Sequence, residues 1–141
     1  MYTILVVDDD EDLLKALDFY LSRSNYHIIQ AKNGAEAAVK ATELEPDLVL
    51  LDIMMPNLDG LTACRGIRSV EKTKDIPVIM LTARGDVETI KSAFKAGATD
   101  YMVKPFAVEQ VISRMEKFLK PRQSKRERKR DRVEIGDGNA I

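Results

Sequence analysis

Short runs of apolar residues alternate along this chain with longer stretches in which apolar positions recur every three or four residues. Thr3 to Val7 is the first run, and it passes straight into the acids Asp8-Asp9-Asp10-Glu11-Asp12. Behind them Leu13, Leu14, Leu17 and Leu21 fall on one helical stripe that ends between Ser22 and Asn25. His27 to Ala31 reads as a second strand and Asn33-Gly34 as a turn. Ala35, Ala38, Val39 and Thr42 then mark a helix whose small residues allow close packing on a sheet. Leu48-Val49-Leu50-Leu51 has the continuous apolar character of a strand buried on both faces. It ends on Asp52 and a loop punctuated by Pro56 and Gly60.

Leu61, Cys64 and Ile67 give a third helix, with Cys64 a small core residue on its stripe. Pro77 to Leu81 is a fourth strand ending on Thr82. Asp86 caps a helix whose apolar side, Val87, Ile90 and Phe94, is expected to face the core, and Gly97 closes it in the manner of a helix C-terminal glycine. Tyr101 to Val103 is the last and shortest strand. Lys104-Pro105-Phe106 leads into a helix with Val108, Val111, Ile112, Met115 and Leu119 on one face, ended by Pro121. Strand and helix alternate five times with connections that parallel pairing requires, which predicts an α/β fold: a three-layer α/β/α sandwich around a five-stranded parallel sheet.

A length of 141 residues suits one domain, expected over 1–120. The opening apolar run is too short for a signal peptide or a membrane span, so a cytoplasmic protein is expected. One cysteine and one histidine exclude an internal disulfide and a Cys/His zinc set, leaving oxygen ligands for any metal. The net charge of −1 conceals an asymmetry: residues 1–120 carry 15 Lys/Arg against 19 Asp/Glu, and residues 121–141 carry 7 against 4. A mildly acidic body thus bears a basic tail. Residues 121–132 are expected to be a solvated linker or a frayed extension of the last helix, with specific DNA contact by them disfavoured for want of aromatics or a folded motif. Val133 to Ile141 alternates and then turns, like the start of a further domain cut short.

The polar residues at the strand ends carry the candidate chemistry. Singly, each has a plain reading: Asp9 or Asp10 as a helix cap, Thr82 as a strand-end hydroxyl, Lys104 as a solvated charge. Together they stand at matching ends of different strands, and with the doubly wound order 2-1-3-4-5 they would face one crevice. Carboxylates gathered there repel one another, by on the order of 1 kcal/mol per pair at 4 Å in water and more where partly buried, so a cation belongs among them. Magnesium, or manganese in its place, suits a site of few carboxylates that also meets a phosphate. Lys104 and Thr82 could then receive phosphoryl oxygens, with Asp52 as nucleophile.

Val6-Val7-Asp8-Asp9-Asp10, Leu50-Leu51-Asp52 through Asp59-Gly60, Met80-Leu81-Thr82-Ala83, and Gly97 through Lys104-Pro105-Phe106 resemble the receiver domain of two-component response regulators. The resemblance covers residues 1 to about 120. It implies the flavodoxin-like strand order 2-1-3-4-5, phosphorylation of Asp52 by a sensor histidine kinase or phosphotransfer protein, and Asp9 as a direct magnesium ligand, with Asp52 and the Met54 carbonyl further members of the metal set. Asp8 would be a water-mediated partner of the metal. It further implies Thr82 and Lys104 as phosphoryl contacts, Tyr101 as an aromatic switch coupled to Thr82, a cis Lys104–Pro105 peptide, and Met54 and Arg84 as residues tuning the lifetime of the phosphorylated state. A homodimer through the fourth helix, fifth strand and fifth helix would fit this family, with Lys91, Lys95 and Glu109 as interface candidates. DNA would be reached only through a winged-helix effector domain beyond the receiver, and no membrane contact is expected.

Two rival readings share parts of this pattern. A flavodoxin-type electron carrier has the same fold, but its phosphate cradle would be repelled by Asp8-Asp9-Asp10. A phosphohydrolase with an aspartyl nucleophile would use the same residues with turnover.

Overall fold

The computed structural model describes residues 1–55 and 59–119. The loop positions 56–58 and the basic tail at 121–141, with the linker and further-domain readings made for it, lie outside the described residues. The elements follow the expected alternation: β1 (Thr3–Val7), α1 (Glu11–Arg23), β2 (His27–Ala31), α2 (Gly34–Leu44), β3 (Leu48–Asp52), α3 (Gly60–Ser69), β4 (Val78–Thr82), α4 (Val87–Lys95), β5 (Asp100–Val103) and α5 (Val108–Leu119). All strand pairs are parallel, in the order β2-β1-β3-β4-β5.

Every residue of β3 and β4 is buried, as the unbroken apolar runs require of strands covered on both faces. Alternate residues of the central strands feed two cores. Ile4, Val6, Leu48, Leu50, Ile79 and Leu81 meet Leu14, Leu17 and Leu21 of α1 and Val111, Met115 and Leu119 of α5. Leu5, Val7, Val49, Leu51, Val78 and Met80 meet Ala37 and Ala41 of α2, Ala63, Cys64 and Ile67 of α3, and Ala93 of α4. Cys64 is a free, buried core residue, as expected.

Helix starts are fixed locally. Asp10, Asn33, Asp59 and Asp86 cap α1 to α4, each side chain accepting from backbone N–H groups of the first turn. Gly97, at φ 108, supplies the left-handed residue that ends the α4 region.

Two helix faces differ from expectation. On α2 the buried stripe is Gly34, Ala37 and Ala41, while Val39 is exposed. The small-residue character is right but the helix is rotated, because the smallest side chains give the closest approach to the sheet. On α4 the expected core face is largely outside: Val87 is 64% exposed and Phe94 44%, Ile90 is half-buried, and Ala93 alone is buried. Phe94 lies instead across Tyr101 of β5, edge to face with ring centroids 5.8 Å apart. An apolar period locates a stripe but does not say whether the sheet beneath has room for large side chains.

Candidate functional site

The parallel sheet delivers its polar strand ends to one edge. Asp52 pairs in register with Leu81, so the end of β3 lies beside the residue preceding Thr82, and Thr82 pairs with Val103, the residue before Lys104. Asp8 follows Val7, whose register partner is Leu51. These are four adjacent strand ends brought together from far apart in sequence.

Among the described residues, Asp8, Asp9 and Asp52 form a cluster in which one carboxylate oxygen from each lies within 4.8 Å of the others. Asp8 and Asp52 are buried and Asp9 is exposed. Lys104 Nζ stands 2.8 Å from Asp8 Oδ2 and 3.6 Å from Asp52 Oδ2. The other oxygens are held by backbone: Asp10 N–H donates to Asp8 Oδ1 at 3.0 Å and Met54 N–H to Asp52 Oδ1 at 3.3 Å. The Lys104–Pro105 peptide is cis, as expected.

Burial, and then the neighbouring Asp8 carboxylate, push the Asp52 pKa up from 3.8 to about 6, against the pull of Lys104 and the Met54 N–H. Burial alone would lower the Lys104 pKa, but its contacts with Asp8 and Asp52 outweigh that and hold the ammonium above the ordinary lysine range. Three carboxylates against one ammonium leave two formal negative charges to balance. An all-oxygen donor set with that deficit fits a hard divalent cation of the magnesium class.

The remaining predicted residues sit around this cluster with different engagements. Thr82 is buried at the end of β4, but its hydroxyl accepts from Arg84 N–H at 2.9 Å and donates to Arg84 O at 3.2 Å. It therefore holds the β4–α4 loop. Tyr101 is half-buried against Phe94. The Met54 side chain is 61% exposed, and the Arg84 side chain pairs with the α4 cap Asp86 at 3.1 Å.

Sequence reasoning missed three parts of this arrangement. Lys104 sits between Asp8 and Asp52 themselves, whereas the sequence predicts it only as a contact for incoming charge. The Asp10 amide and the Arg84 backbone act as fixed partners, which no side-chain pattern announces. Gly60, at the start of α3, lies directly against the Asp52 peptide. Its one signal was a glycine opening a helix immediately after a capping aspartate.

Comparison with known proteins bears on the same residues. The family described as the response regulator receiver domain matches residues 4–116. The transcriptional regulatory protein ResD of Bacillus subtilis is 46% identical over 117 residues, covering 83% of this chain and 48% of ResD. The DNA-binding dual master transcriptional regulator RpaA of Synechocystis is 40% identical over 120 residues, covering 85% of this chain and 50% of RpaA. The chain thus spans about half the length of the curated relatives it matches. Among solved structures, the receiver domain of a sensor histidine kinase from Pseudomonas aeruginosa PAO1, described with a magnesium ion coordinated in its active-site cleft, superposes with a TM-score of 0.78 at 28% identity. That match covers 83% of this chain and 96% of the Pseudomonas one. This is a signalling family, and the electron-carrier and phosphohydrolase readings give way to it. With nearly the whole body matched, its strand order observed and its acidic cluster assembled at the expected edge, the chain belongs to the response regulator receiver domain family.

Proposed function

We propose that this receiver is a phosphorylation-activated switch in which Asp52 accepts a phosphoryl group from a histidine kinase or phosphotransfer protein. The observation that carries the reading is the Lys104 ammonium lying between the buried carboxylates of Asp8 and Asp52, with Asp9 beside them. Asp8, Asp9, Asp52 and the Met54 carbonyl would hold magnesium, or manganese, which when bound would supply positive charge for phosphoryl oxygens and for the repelling carboxylates. The magnesium described in the Pseudomonas receiver supports this assignment.

An Asp52 oxygen attacks phosphorus in line with the phosphohistidine nitrogen. The new P–O bond gives an acyl phosphate, the P–N bond breaks, and its electron pair stays on the imidazole. Lys104 turns from Asp52 toward a phosphoryl oxygen, and the Thr82 hydroxyl leaves the Arg84 backbone to donate to another. Release of Arg84 frees the β4–α4 loop, and Tyr101 turns inward behind it. The domain catalyses only its own phosphorylation and dephosphorylation. The Met54 side chain, apolar and exposed, cannot position an attacking water, which favours a longer-lived phosphorylated state, and Arg84 is a second position that tunes this lifetime. Loss of the phosphate within seconds in magnesium would contradict that point.

The output surface is α4, β5 and α5. Val87, Phe94 and Val103 are exposed there, and an open groove of about 710 Å3 runs between β5 and α5, lined by Tyr101, Val103, Phe106, Glu109 and Arg114 among others. A homodimer forms through this face, with Lys91, Lys95 and Glu109 at its rim. The relatives are named as transcription regulators, so the output is DNA binding by an effector region outside the receiver body. No described helix is long and apolar enough to cross a membrane.

The test is direct. Incubated with acetyl phosphate and magnesium, the protein should gain one phosphoryl group that maps to Asp52, and Asp52→Asn should gain none. Labelling elsewhere, or labelling of Asp52→Asn at the same rate, would sink the reading.

A further inference from the structure

Gly60 opens α3, yet its φ is not in the left-handed region, so backbone freedom does not account for a glycine there. Space does. A Cβ at Gly60 would lie 2.1 Å from Asp52 O, 2.8 Å from Ile53 Cα and 2.9 Å from the Asp52 carbonyl carbon, where ordinary contact begins near 3.4 Å. All three neighbours are backbone, which cannot swing aside as a side-chain tip can. Gly60 N–H also donates to Ile53 O at 2.9 Å, while Ile53 N–H donates across to Leu81 O at 3.0 Å. The peptide that carries the Asp52 carboxylate is therefore gripped between β4 on one side and the first turn of α3 on the other. Asp59, capping through Thr62 N–H at 2.7 Å, fixes the direction of that turn.

We propose that Gly60 is a positioning residue for the phosphoacceptor: the first turn of α3 seats on the Asp52–Ile53 peptide and sets the direction in which the Asp52 carboxylate faces the metal and the incoming phosphoryl group. This rests on the reading of Asp52 as acceptor given above. The chemistry at Asp52 is in-line displacement, in which a misplacement of about 1 Å costs on the order of 100-fold in rate. A methyl group at residue 60 demands a shift of that size from either α3 or the Asp52 backbone.

The experiment measures the rate of phosphorylation by acetyl phosphate across a magnesium titration for the full chain and three variants. Gly60→Ala should slow the reaction about 100-fold and raise the magnesium concentration at half-maximal rate. Asp59→Ala removes only a surface cap and leaves the fold in place, and it should slow the reaction several-fold by loosening the same turn. Asn33→Ala removes an equivalent cap, the acceptor of Glu36 N–H at the start of α2, and should leave rate and magnesium midpoint unchanged. The proposal is overturned if Gly60→Ala folds and stays within threefold of the parent. It is equally overturned if Asp59→Ala and Asn33→Ala behave alike, a comparison that decides the matter even where Gly60→Ala does not fold. Failure of the parent chain itself to be labelled at Asp52 would instead reject the acceptor reading, so the two failures are distinct.

Discussion

α3 and α4 lie on the same face of the sheet and border the same site, but they are attached to it in opposite ways. α3 buries Gly60, Ala63, Cys64 and Ile67, and its first turn rests on the Asp52 peptide. α4 buries only Ala93 and reaches the site through the Ala83–Gly85 loop, which the Thr82 hydroxyl holds by its two bonds to the Arg84 backbone. Its far end is tied back to α3, where Arg68 donates to Gly97 O at 2.9 Å and to Ile76 O at 2.6 Å. The site therefore has one fixed wall and one yielding wall. On the proposed function, chemistry needs the first, since Asp52 as acceptor must not wander. Signalling, on that reading, needs the second, since a helix that buries one alanine and is otherwise held by a ring contact and a few hydrogen bonds can move at small cost.

The largest effect that could break this contrast is on the anchored side. Ile67→Ala removes a buried side chain from the α3 seat and should cost about 2–5 kcal/mol, read as a lowered urea midpoint. A cost under 1 kcal/mol would mean that α3 is no better anchored than α4.

The next concerns the strain held at Asp52. Its folded pKa of about 6 lies above the ordinary 3.8, so between those values the folded protein holds a proton that the unfolded chain does not. Metal-free stability should thus be fullest below about pH 4 and decline as pH rises through about 6, by at most about 3 kcal/mol from this group. Asp52→Asn removes that decline and should be the more stable protein at pH 7 without metal, while magnesium should narrow the gap by stabilising the parent alone. Urea midpoints for the two proteins from pH 4 to 8 decide it. Parallel curves would show that Asp52 carries no such strain.

The anchored half of the molecule was the legible half. Leu48 to Asp52 and Pro77 to Thr82 announced buried strands because both faces of each are covered, and Cys64 and Ile67 announced the inner side of α3 because apolar spacing and burial coincide there. Strand-end chemistry was readable for the same reason: a parallel sheet turns strand ends into neighbours, so Asp8, Asp52, Thr82 and Lys104 could be grouped before any distance was known. What escaped were relations that depend on room and backbone. The rotation of α2 that buries Ala37 and Ala41 follows from close packing, which hydrophobicity alone does not rank. The seat of Gly60 on Asp52 involves no side chain on one partner and only main chain on the other. α4 departs most from its pattern, since Val87, Ile90 and Phe94 have the spacing of a core stripe and the fold leaves Val87 64% and Phe94 44% exposed.

The exposed apolar face of α4 supplies the finest test of the contrast. Val87 is 64% exposed, so Val87→Ser should change stability by no more than about 0.5 kcal/mol. Phe94→Ala loses its edge contact with Tyr101 and should cost about 1 kcal/mol. An apolar residue that contributes so little to its own fold, on a helix linked to the loop that Thr82 holds, has its use in what the helix meets. Both variants should therefore accept a phosphoryl group at the parent rate and yet weaken phosphorylation-dependent self-association by about tenfold, which corresponds to roughly 1.4 kcal/mol at the interface. Sedimentation of parent and variants with and without acetyl phosphate measures it. If Val87→Ser destabilises the monomer as much as Ile67→Ala does, α4 is packed as firmly as α3, and a yielding wall cannot be how this receiver reports its state.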